Sequence, residues 1–123
     1  MSRQKQKGSA FEMAVVEYLR DVFDDAEGTI DRMVQHGSRD VGDIIGVRSH
    51  GKPVVIECKD YSGRDRMAQF LAEAEVERGN ADALAGVVVS HRRGIGFTRM
   101  GDQLVSMTLR DFCALIGGIH DER

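Results

Sequence analysis

The nine residues "ALAGVVVSH", 83–91, constrain this chain more than any other stretch. The run is almost wholly apolar and rich in β-branched residues. Such a strand is stable only when both faces are covered, so it belongs in the middle of a sheet. A second β-branched run, "PVVIECK" at 53–59, precedes it. Between them, "RDRMAQFLAEAEVER" at 64–78 places Met67, Phe70, Leu71 and Ala74 at helical spacing, and Gly79 and Asn80 are expected to end that helix. A strand, a helical crossover and a buried strand call for a sheet with a helix packed on it.

The remaining pattern fills in the layers. "SAFEMAVVEYLRDVF", 9–23, reads as an amphipathic helix with Phe11, Val15, Tyr18, Leu19 and Val22 on one face. Ser9 is its expected N-cap and Glu12 the partner in a capping box. Residues 29–35 and 41–47 read as strands, and the short turns "HGSRD" and "RSHGK" join them to 53–59 as an antiparallel meander. Residues 104–108 read as a fifth strand. Thr108 and Asp111 then open a last helix whose expected inward residues are Leu109, Phe112, Cys113, Leu115 and Ile116, with Gly117 and Gly118 closing it. The expected class is α/β (α+β), a mixed central sheet flanked by helices in the order αβββαββα. It forms one domain over 1–123, with residues 1–8 as a basic arm.

Net charge is −3, so the whole-molecule charge does not mark a nucleic-acid binder, but the cations are clustered. Arg3, Lys5 and Lys7 lie on the N-terminal arm, Arg64 and Arg66 follow "ECKDYSG", and Arg92 and Arg93 border a Gly-rich loop. Gly94-Ile95-Gly96 does not sit between a strand and a helix as a dinucleotide loop must. Cys58 and Cys113 offer neither a disulfide framework nor a CxxC, and His36, His50, His91 and His120 have no zinc-type spacing. With no signal peptide or long apolar run, the expected setting is a reducing cytoplasm, away from membranes.

Side chains alternate along a strand, so Glu57 and Lys59 share a face while Cys58 points the other way. A turn symmetric about His50 sets Val47 opposite Pro53, Ile45 opposite Val55 and Asp43 opposite Glu57. Two carboxylates ~5 Å apart repel by about 3 kcal/mol at an effective dielectric of about 20. Lys59 offsets part of that. A divalent cation with hard oxygen ligands accounts for the choice of Asp and Glu there. Glu12, at the margin of the first helix's apolar face, can lean onto the same place.

The first-helix Glu12, "GDI" at 42–44 and "ECK" at 57–59 together resemble the PD-(D/E)xK nuclease superfamily. The stretch "GSRDVGDI…VIECKD" is most like archaeal-type Holliday junction resolvases and small RecB-like phage nucleases. Gly42 stands where the family often has proline. The QxxxY pattern of RecB nucleases is missing after "ECK", which favours a resolvase. The resemblance implies a restriction-endonuclease-like fold and Mg²⁺ (or Mn²⁺) held by Asp43, Glu57, the main-chain carbonyl of Cys58, and Glu12. Lys59 would position the attacking water, and Ser38 would correspond to a functional loop serine. It implies hydrolysis of phosphodiester bonds in branched or duplex DNA by a homodimer, inside a bacterial, archaeal or phage-infected cell. Arg3, Lys5, Lys7, Arg39, Arg64, Arg66, Arg92 and Arg93 would hold the DNA backbone. A restriction-like or repair nuclease acting on duplex or ends, and a silent DNA-binding module, are the competing readings.

Overall fold

The structure, a computed structural model, describes residues 3–34, 40–61 and 64–123, without the side chains of 3–7 and of residue 64. Ser38 and Arg39, and the side chains of Arg3, Lys5, Lys7 and Arg64, therefore lie outside the described residues. Helix α1 spans Arg3–Val22 and is followed by β1 (Asp31–Arg32), β2 (Ile44–Ile45), β3 (Arg48–Ser49) and β4 (Lys52–Lys59). A 3-10 turn at Arg64–Arg66 leads into α2 (Met67–Ala81) and β5 (Ala85–Ser90). A second 3-10 segment at Phe97–Asp102, β6 (Leu104–Ser106) and α3 (Leu109–Gly117) complete the chain. The expected order thus gains the short β3.

The sheet runs β1-β2-β4-β5-β6, with β3 paired to the start of β4. The meander is antiparallel, whereas β4 and β5 are parallel, from Val54 opposite Ala85 to Lys59 opposite Ser90. The helical crossover requires that direction. All six residues of β5 are buried, as a central strand requires. One face of the sheet packs Val54, Ile56, Val87 and Val89 against Phe11, Val15 and Val16 of α1. The other sets Val88 against Phe70 and Ala74 of α2. Gly86 admits this close approach: a Cβ there would stand 2.8 Å from the Ala74 carbonyl oxygen.

Several expected boundaries are corrected. Helix α1 begins at Arg3, so residues 3–8 form its first turns rather than an arm, and Ser9 lies inside it instead of capping it. Tyr18 and Val22 are exposed. Helix α2 runs past Gly79 and Asn80 to Asp82, whose left-handed conformation ends it and whose N–H meets the Arg78 and Gly79 carbonyls. The strand expected over 41–47 keeps only Ile44–Ile45, because Gly42 and Gly46 both take positive φ and break the extended run at either end. His50 and Gly51, both at positive φ, form a two-residue hairpin turn, so that Arg48 rather than Val47 faces Pro53. A one-residue bulge near Gly46 then restores Ile44 opposite Ile56, the register expected from the sequence. In α3 the buried residues are Asp111 and Ala114, while Leu109, Phe112, Cys113 and Ile116 face outward. Among the described residues no helix is long and apolar enough to cross a membrane.

Candidate metal centre

The register Ile44–Ile56 brings Asp43, one residue before β2, to the end of β4 beside Glu57. Asp43 donates its N–H to the Ile56 carbonyl (2.9 Å) and its Oδ2 accepts the Cys58 N–H (2.8 Å), so the carboxylate is held against the strand by main chain. Gly42, at φ +100°, makes this approach possible. A Cβ there would press on Val55 Cγ1 (3.0 Å) and the Ile56 carbonyl oxygen (3.1 Å). Proline, fixed near φ −65°, has no access to that conformation.

Glu57 is only 7% exposed, and its Oε1 has no hydrogen-bond partner among the described residues. Burial, then the Asp43 and Glu77 charges and a hydrogen bond with Asp43, push its carboxyl up to about 10, against the weaker pull of Lys59. Lys59 Nζ lies 4.0 Å from Glu57 Oε2 and 3.7 Å from Glu73 Oε2, and 4.6 Å from the centroid of the Phe70 ring. The ammonium is thus pinned between two carboxylates and an aromatic face. Cys58 turns its thiol into the core beneath α1, and burial, followed by the charge of Asp43, raises its pKa.

Glu12 reaches the same corner from α1. Its Oε2 accepts from Arg32 Nε at 2.9 Å. Burial and then the Asp43 charge raise its pKa against Arg32. The expected capping box is absent, and Arg32 is the partner that the sequence did not reveal.

Two further acids, Asp40 and Glu77, enter the site from outside the expected set. One oxygen each of Asp40, Glu57 and Glu77 lie within 4.8 Å of one another. Glu77 follows Phe70 and Ala74 at i+7 and i+3 on the buried face of α2, and that spacing was the signal for it. Burial and then the Asp40 charge push its carboxyl up to about 7. Clustered, desolvated carboxylates with unpartnered oxygens fit a divalent cation, which supplies the positive charge that the described side chains do not.

The cations are distributed around the same end of the sheet. Arg66 is exposed, with its guanidinium 5.6 Å from the Phe70 ring centroid. Arg92 and Arg93, beyond the end of β5, line a cavity of about 240 Å³ with Asp60, Tyr61, His91 and Gly94. His91 is fixed there by Asp60 and the Ile95 carbonyl, each at 2.7 Å, and stacks on Phe11. A separate group, Glu75, Asp111 and His120, lies against α3. There Asp111 meets His120, and Glu75 pairs with Arg78. No family model, curated protein or solved structure matches this chain.

Proposed function

We propose that this chain is a metal-dependent endodeoxyribonuclease of the PD-(D/E)xK type, and that its substrate is the four-way DNA junction. The observation that carries the reading is the register that sets Asp43 beside Glu57, with Lys59 next along the same face of β4. Asp43, Glu57 and the Cys58 carbonyl would hold Mg²⁺ or Mn²⁺, with Glu12 behind Asp43. Such a cation polarises a phosphate and lowers the pKa of a bound water. Lys59, held over Phe70, would counter the negative charge that grows on the phosphate. Arg66, Arg92 and Arg93 border the site and would grip the DNA backbone without reading sequence. Opposed strands of a junction need two sites, which implies a C2 dimer. The outward apolar side of α3 is the surface offered for it, since β5 is fully buried.

The test is a substrate panel of synthetic junction, linear duplex and single strand, each with Mg²⁺ or EDTA. Paired nicks near the junction centre, absent in EDTA, are expected. Lys59→Ala should lower the rate on the order of 10²–10³-fold. Equal cutting of linear duplex would make the protein a general duplex nuclease. Undiminished cleavage by Lys59→Ala or Asp43→Asn would remove the site assignment.

A further inference from the structure

We propose that Asp40, Glu57 and Glu77 hold a second divalent cation, next to the one assigned to Asp43 and Glu57, with Glu57 shared between the two. The inference rests on the nuclease reading only for the role of the first cation; the second position is argued from its own atoms.

Three elements deliver the three carboxylates: the segment before β2 brings Asp40, β4 brings Glu57 and α2 brings Glu77. Oxygens around an octahedral Mg²⁺ or Mn²⁺ lie about 3–4 Å apart, and those around Ca²⁺ up to about 5 Å. One oxygen of each residue lies within 4.8 Å of the others, close enough for all three to reach one ion after small side-chain movements.

Glu57 Oε1 and Glu77 Oε2 are both buried and without a hydrogen-bond partner among the described residues, in side chains belonging to residues only 7% and 3% exposed. Leaving such atoms unmatched is costly. The nearby cations among the described residues are engaged elsewhere. Lys59 approaches the other oxygen of Glu57, at 4.0 Å, and is shared with Glu73 and the Phe70 ring. Arg78, the neighbour of Glu77, forks onto Glu75 and donates to the Ala83 carbonyl.

The loop ligand is held in place by α2 itself. Asn80 Nδ2 donates to the Asp40 carbonyl at 2.9 Å, and Asp40 Oδ1 accepts the Gly42 N–H at 3.0 Å. Asn80 stands one turn beyond Glu77. The helix therefore carries one ligand together with the clip that positions another. An apolar residue at position 77 would extend the Phe70–Ala74 face at no electrostatic cost. A cation explains the acid.

The competing arrangement is a pair of carboxyls sharing protons, and Mn²⁺ titration of the full chain at neutral pH separates the two. Calorimetry and the Mn²⁺ electron-spin signal should count two equivalents for the wild type. Glu77→Gln should lose one of them, and Asp40→Asn should weaken that one about tenfold or more. Asp43→Asn should affect the other. Thermal melts guard against misfolding: without metal, Glu77→Gln should melt above the wild type, because a buried like charge is gone, and it should gain less from Mn²⁺. Unchanged stoichiometry and affinity in Glu77→Gln would overturn the inference and leave the nuclease reading to the junction assay. A Glu77-dependent Mn²⁺ site in a protein that cuts no DNA would keep the inference and remove that reading.

Discussion

Glu57 is an acid placed where a folded chain holds a proton more tightly than an unfolded one. Its carboxyl is raised from 4.5 to about 10, chiefly by burial, and Glu77 from 4.5 to about 7 for the same first reason. Between those limits the native state binds more protons than the unfolded state, so stability falls as pH rises. The contribution of each is complete below its ordinary value and is lost as pH passes through the raised one. The acids that titrate low, Asp25, Glu75 and Asp121, held down chiefly by hydrogen bonds from Thr29, Arg78 and Arg123, finish ionising below this window. In EDTA the melting temperature should therefore decline from about pH 5 to about pH 9, and Glu57→Gln should flatten the decline. A wild-type profile that is flat or rising would contradict the burial argument. At this scale the sequence was legible in part: Glu57 and Lys59 share a face by strand alternation, but Asp43 comes beside Glu57 only because the bulge near Gly46 offsets the one-residue shift made by the His50–Gly51 turn. Glu77 had a signal in its i+7 spacing from Phe70, but charge argued for the solvent side. Arg32 as the partner of Glu12, and Asp40, depend on where a loop and a second helix come to rest, which no local pattern contains.

Among the elements, α3 shows why periodicity alone chose the wrong face. Leu109, Phe112 and Ile116 repeat at helical spacing, and so do Asp111, Ala114 and Leu115 one step around. The expected inward set took the first together with Cys113 and Leu115; of these only Leu115 packs, beside Asp111 and Ala114. Thr108 caps the helix, its hydroxyl accepting the Asp111 N–H, as the sequence indicates. The Asp111 side chain then does something that depends on tertiary structure. Its Oδ2 accepts the Gly86 N–H at 2.9 Å, beyond the point where β6 stops pairing with β5, and its Oδ1 meets His120 Nε2 at 2.9 Å. A buried carboxylate thus completes the unfinished edge of the central strand. Asp111→Ala leaves a buried N–H unmatched and should cost about 2–3 kcal/mol in urea unfolding, more than Asp111→Asn. Equal stability of Asp111→Ala and wild type would show that water satisfies Gly86. The β2 region fell short of its expected length for a related reason: glycine marks a turn or a close approach in sequence, but only the neighbouring backbone says which.

For the whole molecule, the apolar surface left by that choice is the clearest feature pointing outward. Leu109, Phe112 and Ile116 are 77%, 50% and 69% exposed on one side of α3, with Ile119 just beyond. A charged residue in such a patch opposes burial. If the two-site reading holds, sedimentation should find a dimer, and Ile116→Asp should shift it to monomer while leaving the fold's circular dichroism unchanged. A wild-type monomer at all concentrations would remove the two-site scheme. The parallel pairing of β4 and β5 also orders events in time. The hairpin that sets Ile44 opposite Ile56 closes a short loop, whereas Val54 meets Ala85 only after the whole crossover helix has been laid down. Short closures precede long ones. Asp43 and Glu57 are therefore expected to be neighbours before Glu77 reaches them. The docking of α2 then brings a further acid into an acidic corner, so the cation or proton at hand is expected to set how fast that docking completes.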